Sequence, residues 1–95
     1  LEYKVQEIGT SFWWDTPGYT IGVHNDQEWI DRVLQIYLWP NDKNLGTVFY
    51  EDDEVRYAFD YIPNTGYLMN NKGQRHGMTV PVPADTIRLS VHCGL

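Results

Sequence analysis

The chain holds three histidines, and the first stands in Val23-His24-Asn25-Asp26, where an extended run gives way to a polar turn. If the backbone stays extended through Asn25, side chains two residues apart share a face. The His24 imidazole and the Asp26 carboxylate can then converge on one metal ion. A strand-end histidine beside a turn aspartate is the plainer account, since so short a pattern arises readily by chance. His76 follows the polar loop Asn70 to Arg75 and opens the apolar run Gly77 to Val82, which sets it at a strand mouth. It can be the third ligand there, or an ordinary loop histidine. His92 lies three residues from the C-terminus and is left out of the candidate site.

Two imidazoles and one carboxylate on one face of an octahedron, with the other face open, form the donor set associated with non-haem Fe(II) oxygenases. Such a centre needs a co-ligand, and the last extended run offers a place to hold an anion. Its parity separates Ile87, Leu89 and Val91 from Arg88, Ser90 and His92. A guanidinium turned inward needs an anion, preferably a carboxylate gripped bidentately, and Arg88 with Ser90 makes such a grip. The competing account is an outward, salt-bridged arginine on an edge strand. Tyr37 has the parity opposite Leu34, Ile36 and Leu38, so its hydroxyl could reach the same anion. Tyr19, five residues before His24, is a lesser candidate of the same kind. For both tyrosines a packed aromatic with a satisfied hydroxyl is the commoner outcome.

Period-two alternation dominates the segments that must carry these residues. It runs through Val33 to Trp39 and through Arg56 to Tyr61, with five shorter extended candidates at Tyr19–Val23, Gly46–Tyr50, Gly66–Met69, Met78–Val82 and Thr86–His92. Asp15-Thr16-Pro17-Gly18, Pro40-Asn41-Asp42 and Pro63-Asn64-Thr65-Gly66 punctuate them as turns. Asn25 to Gln35 has an N-cap candidate in Asn25 or Asp26, but its later half is β-branched, so at most a turn is expected. Glu51-Asp52-Asp53-Glu54 reads as a solvated hairpin tip, with a cation or basic-substrate site as the alternative. Trp13, Trp14, Trp29 and Trp39 are expected to seal the core, although Trp13-Trp14 could instead wall a groove. An all-β sandwich or barrel with little helix follows.

At 95 residues the chain is read as a single domain over 1–95, burying about two-thirds of the surface it exposes when unfolded. Its 42% hydrophobic content and fourteen aromatics (four Trp, seven Tyr, three Phe) exclude the disordered class. Thirteen acids against seven bases, a net charge of -6, argue against a nucleic-acid partner, which would need a basic stripe. Cys93, the single cysteine, cannot close an intrachain disulfide, and no apolar run approaches the roughly 20 residues of a membrane span. A reducing, cytoplasmic setting is expected. The opening at Leu1 without a methionine suggests an N-terminally truncated chain.

His24-x-Asp26, Gln35-Ile36-Tyr37-Leu38, Gly46-Thr47-Val48-Phe49, Pro63 with Gly66, His76-Gly77 and Arg88-Leu89-Ser90 follow one another in that order. The succession, over residues 17 to 92, resembles the core of the Fe(II)- and 2-oxoglutarate-dependent dioxygenases, in particular the prolyl-hydroxylase-like branch. The resemblance implies a double-stranded β-helix, a jelly-roll or cupin-like barrel, with Fe(II) held by His24, Asp26 and His76. It implies that Arg88 binds the far carboxylate of the cosubstrate 2-oxoglutarate, helped by Ser90 and Tyr37. It implies oxidative decarboxylation of 2-oxoglutarate with O2 to succinate and carbon dioxide, coupled to hydroxylation of a peptide or small molecule. A homodimer stays open. The stretch Gly66 to Asn71 departs from the pattern by ending in amides where relatives often place an aromatic. The alternatives are a cupin-type protein that binds a small acid or sugar without redox chemistry, or a degenerate binding module. A cupin site usually wants His-x-His, and Asp26 stands in the second position.

Overall fold

The computed structural model describes residues 9–95. Seven strands run Gly9–Asp15 (β1), Arg32–Trp39 (β2), Val48–Glu51 (β3), Glu54–Ala58 (β4), Gly66–Asn70 (β5), Arg75–Gly77 (β6) and Arg88–Gly94 (β7). They form two antiparallel sheets, ordered β1-β7-β2-β5 and β4-β3-β6. A single 3-10 turn, Lys43–Leu45, interrupts them, and the Asp42 carboxylate caps it by accepting the Asn44 N–H at 3.1 Å. No helix among the described residues is long and apolar enough to cross a membrane.

Alternation in β2 follows the predicted parity as far as Tyr37 and breaks at a bulge before Trp39. Val33 and Tyr37 are buried between the sheets while Leu38 faces outward. The β3–β4 hairpin closes on the pair Glu51 and Glu54, with Asp52 and Asp53 as its two-residue tip at φ of 51° and 65°. Short acidic side chains tolerate that left-handed geometry, and their charges keep the tip in water. The core is aromatic. Tyr37 stacks on Tyr61 with centroids 4.1 Å apart, and Phe49 meets Tyr67 edge-on at 5.0 Å. Contacts of this kind contribute about 0.5–1.5 kcal/mol each beyond the area they bury.

Several sequence expectations need correction. Tyr19–Val23 and Met78–Val82 are not regular strands. They run beside each other on single hydrogen bonds, Gly18 N–H to Val82 O, Val82 N–H to Tyr19 O and Met78 N–H to Ile21 O, at 2.8–2.9 Å. Pro17, Pro81 and Pro83 in and beside these runs have no N–H to give a ladder. Strand β1 was not among the expected strands, and β4 stops at Ala58, short of Tyr61. The expected tryptophan seal is absent. Trp13, Trp14, Trp29 and Trp39 are 42–77% exposed, and in β1 the pleat turns Trp14 away from the face that carries Trp13. The edge-strand account of Arg88 also fails, because β7 lies between β1 and β2.

Candidate metal centre and its cavity

His24 and His76 are clamped by backbone before their side chains do anything. The His24 N–H donates to His76 O at 2.9 Å and the His76 N–H returns to His24 O at 3.0 Å, a two-bond bridge between the 18–24 segment and β6. The segment can come this close because residue 77 is glycine. A Cβ there would stand 2.7 Å from the Gly22 carbonyl oxygen. The two imidazoles lie with centroids 4.5 Å apart.

Each ring is then oriented by its Nδ1, which sits 2.8 Å from Gly22 O in His24 and 3.0 Å from Gln74 O in His76. A carbonyl only accepts, so both Nδ1 atoms carry the proton and both Nε2 atoms of the neutral rings present a lone pair. Those lone pairs face one atom. Asp26 Oδ1 is 3.4 Å from His24 Nε2 and 3.3 Å from His76 Nε2, and the three donor atoms lie within 4.8 Å of one another. Three acceptors converging without a donor repel, so the cluster calls for a proton or a cation at its centre. The direction of the ionisation equilibria agrees. Hydrogen bonding to Asp26 raises the His24 pKa above 6.5 against the opposing effect of burial. Asp26 is held well below the carboxylate range by His24, His76 and His92 in that order. His92, which the sequence reading left out, approaches the other carboxylate oxygen, with Nε2 3.9 Å from Oδ2.

Across the same cavity, Asp15 at the end of β1 sits in register with Arg88 at the start of β7. Nε of Arg88 donates to Asp15 Oδ2 at 2.8 Å, Nη2 lies 2.8 Å from the same oxygen in the ion pair, and Nη1 donates to the Leu45 carbonyl at 2.8 Å. The inward guanidinium therefore already holds its carboxylate, from the protein itself. Ser90 is buried on the same face, opposite Trp13 on β1 and Tyr37 on β2. The Tyr37 hydroxyl is not free for an anion. It accepts the Thr47 N–H and donates to Thr47 Oγ1, both at 3.0 Å, and burial raises its pKa. Thr47, inside the Gly46-Thr47-Val48-Phe49 run, thus takes the hydrogen bond the sequence reading gave to a ligand. Tyr19 lines the cavity wall.

One cavity of about 370 Å³ joins the two ends, lined by His24, Asp26 and His76 at one and Asp15, Arg88 and Ser90 at the other. That is the size of a small-molecule site. Asp15 was missed because it precedes Thr16-Pro17-Gly18 and reads as a turn residue; its pairing is visible only in the β1–β7 register. His92 carried a usable signal, its shared parity with Arg88 and Ser90. No family model matches this chain, and neither a curated protein nor a solved structure does.

Proposed function

We propose that the chain is a non-haem Fe(II)- and 2-oxoglutarate-dependent oxygenase of the prolyl-hydroxylase-like kind, built on a double-stranded β-helix. The observation that carries this reading is the convergence of two Nδ1-protonated imidazoles and an ionised carboxylate on a point with no donor of its own. Donors about 2.1 Å from a metal and at right angles lie about 3 Å apart, close to the 3.3–3.4 Å separations here, so the residues fit the ion. The strand path supports the fold. Successive segments alternate between the sheets from β1 to the 18–24 segment to β2, and from β5 through β6 to β7. The 18–24 segment stands beside β6 where a fourth strand of the smaller sheet would be.

His24, Asp26 and His76 would hold the iron, which with 2-oxoglutarate and O2 supplies oxidative decarboxylation to succinate and carbon dioxide coupled to C–H hydroxylation. The chain's own part is placement. Backbone carbonyls at Gly22 and Gln74 fix each imidazole as a metal-ready tautomer, the kind of support that outer contacts give a ligand. Arg88 would grip a far carboxylate through the N–H groups not given to Asp15 and Leu45, with Ser90 on the same strand face. Strand β7 sets the span, since four residues from Arg88 to His92 cover about 13 Å. An arginine side chain and a five-carbon diacid can bridge that distance. The negative charge of the chain favours a peptide or small molecule over nucleic acid as substrate, and the lone Cys93 suits a reducing, cytoplasmic setting.

A second reading is a metal-binding barrel without redox chemistry, of cupin type. The Asp15–Arg88 pair favours it, since a balanced guanidinium grips an added anion less strongly. An anaerobic titration separates the two. Fe(II) followed by 2-oxoglutarate is expected to give a visible metal-to-ligand charge-transfer band, and folded protein that binds Fe(II) but gives no such band favours the second reading.

A further inference from the structure

Given the metal centre proposed above, we propose that His92 is a positioning residue for Asp26, engaging Oδ2 through its Nε2–H so that Oδ1 alone is left for the metal. The two carboxylate oxygens have different neighbours. Oδ1 faces Nε2 of both His24 and His76, while Oδ2 faces Nε2 of His92. The 3.9 Å gap is too long for a direct hydrogen bond and short enough for one bridging water or a small rotation of either side chain.

His92 is well held for this work. It sits in the interior of β7, paired with Gln35 on β2 and Ser11 on β1, and its ring lies 5.7 Å from that of Trp13. Its backbone is thus held by the sheet, independently of the 18–26 stretch that delivers His24 and Asp26. An unrestrained carboxylate can take a metal through both oxygens and fill a coordination position that a co-ligand needs. Engaging Oδ2 from the opposite sheet keeps Asp26 to one ligand atom. His92 itself stays outside the donor set, because the metal belongs on the Oδ1 side.

The test is long-range 1H–15N NMR of the imidazoles with Zn(II) as a diamagnetic probe, alongside Zn(II) affinities. Zn(II) is expected to shift Nε2 of His24 and His76, with Nδ1 protonated in both, and to leave His92 unliganded with its proton on Nε2. His92→Phe, which keeps a ring without the donor, is expected to weaken Zn(II) binding about tenfold, with most of the loss restored in His92→Gln. A coordination shift at His92 Nε2, or a proton on its Nδ1 instead, overturns the positioning role. So does a Phe variant that binds as the parent does, or a Gln variant that restores nothing. The unsubstituted spectrum decides the matter even if a variant does not fold. Absence of any Zn(II) shift at His24 and His76 is a different result, and it removes the metal centre together with the role of His92.

Discussion

The two ends of the cavity carry opposite electrostatic problems. At the imidazole end, one carboxylate faces two imidazole nitrogens, with the three side chains delivered by an irregular segment and the three-residue strand β6. At the guanidinium end, Arg88 and Asp15 sit on paired rungs of the larger sheet and satisfy each other at 2.8 Å. At the first end three acceptors converge on a point that suits a proton or a cation; at the second the guanidinium already faces a carboxylate of the protein. Binding energy for a metal should therefore be large and should come from local donors, whereas an anion must compete with a carboxylate already in place.

The strongest way to break this contrast is His76→Ala. Removing a donor from a three-ligand set is expected to lower Fe(II) affinity more than about a hundredfold, beyond the 10- to 100-fold typical of losing an outer partner. The metal-free fold should persist, as the backbone bridge to His24 does not use the side chain. Equilibrium dialysis and a circular dichroism spectrum check both halves.

At the other end the largest effect should be on stability. Arg88→Ala leaves Asp15 buried and uncompensated, which costs about 3–5 kcal/mol, and adding Asp15→Ala should return much of it. Denaturant unfolding of the two single variants and the double variant measures the coupling. Additive losses would mean that the pair is not the unit described. Any loss of 2-oxoglutarate binding in Arg88→Ala has to be read after this destabilisation. Asp15→Asn sharpens the same point, since it removes the competing charge and leaves the guanidinium in place. It should raise 2-oxoglutarate affinity about fivefold, equivalent to about 1 kcal/mol, while Fe(II) affinity stays as it was. A fall in 2-oxoglutarate affinity would make Asp15 an aid to the anchor and not its rival.

How much of this was legible follows the same division. The imidazole end is partly local: His24 and Asp26 are two residues apart, whereas His76 sits inside β6 and not at the mouth of the Met78–Val82 strand expected from the sequence. That Arg88 shares a face with Ser90 was legible too, because a pleat alternates whatever its neighbours are, but which way that face points was not. What period and spacing could not give is who pairs with whom. Asp15 and Arg88 are separated by 73 positions, and only the β1–β7 register joins them. Thr47 takes the Tyr37 hydroxyl through a contact between segments, and the His92 approach to Asp26 needs both sheets in place. The same limit explains the tryptophans, whose size suggests a core although Trp29 sits in a turn, Trp14 and Trp39 are exposed, and Trp13 lines the cavity.

The smallest expected effect is on pH, and it separates proton from metal at the imidazole end. His24 has a folded-state pKa raised above 6.5, so its contribution to stability is complete below that value and is lost as pH rises through the folded value. Asp26 is depressed below 3.8, so its contribution is present above that value and is lost only in stronger acid. Metal-free protein should accordingly be more stable at pH 5.5 than at pH 8, because a proton on His24 relieves the repulsion among the three acceptors. The difference should amount to no more than about 8 °C in melting temperature for a domain of this length. A bound metal displaces that proton, so Zn(II) should stabilise the protein more at pH 8 than at pH 5.5 and reverse the order. Paired melting curves with and without Zn(II) test the reversal, and the same pH order in both states would mean that proton and metal do not share a place.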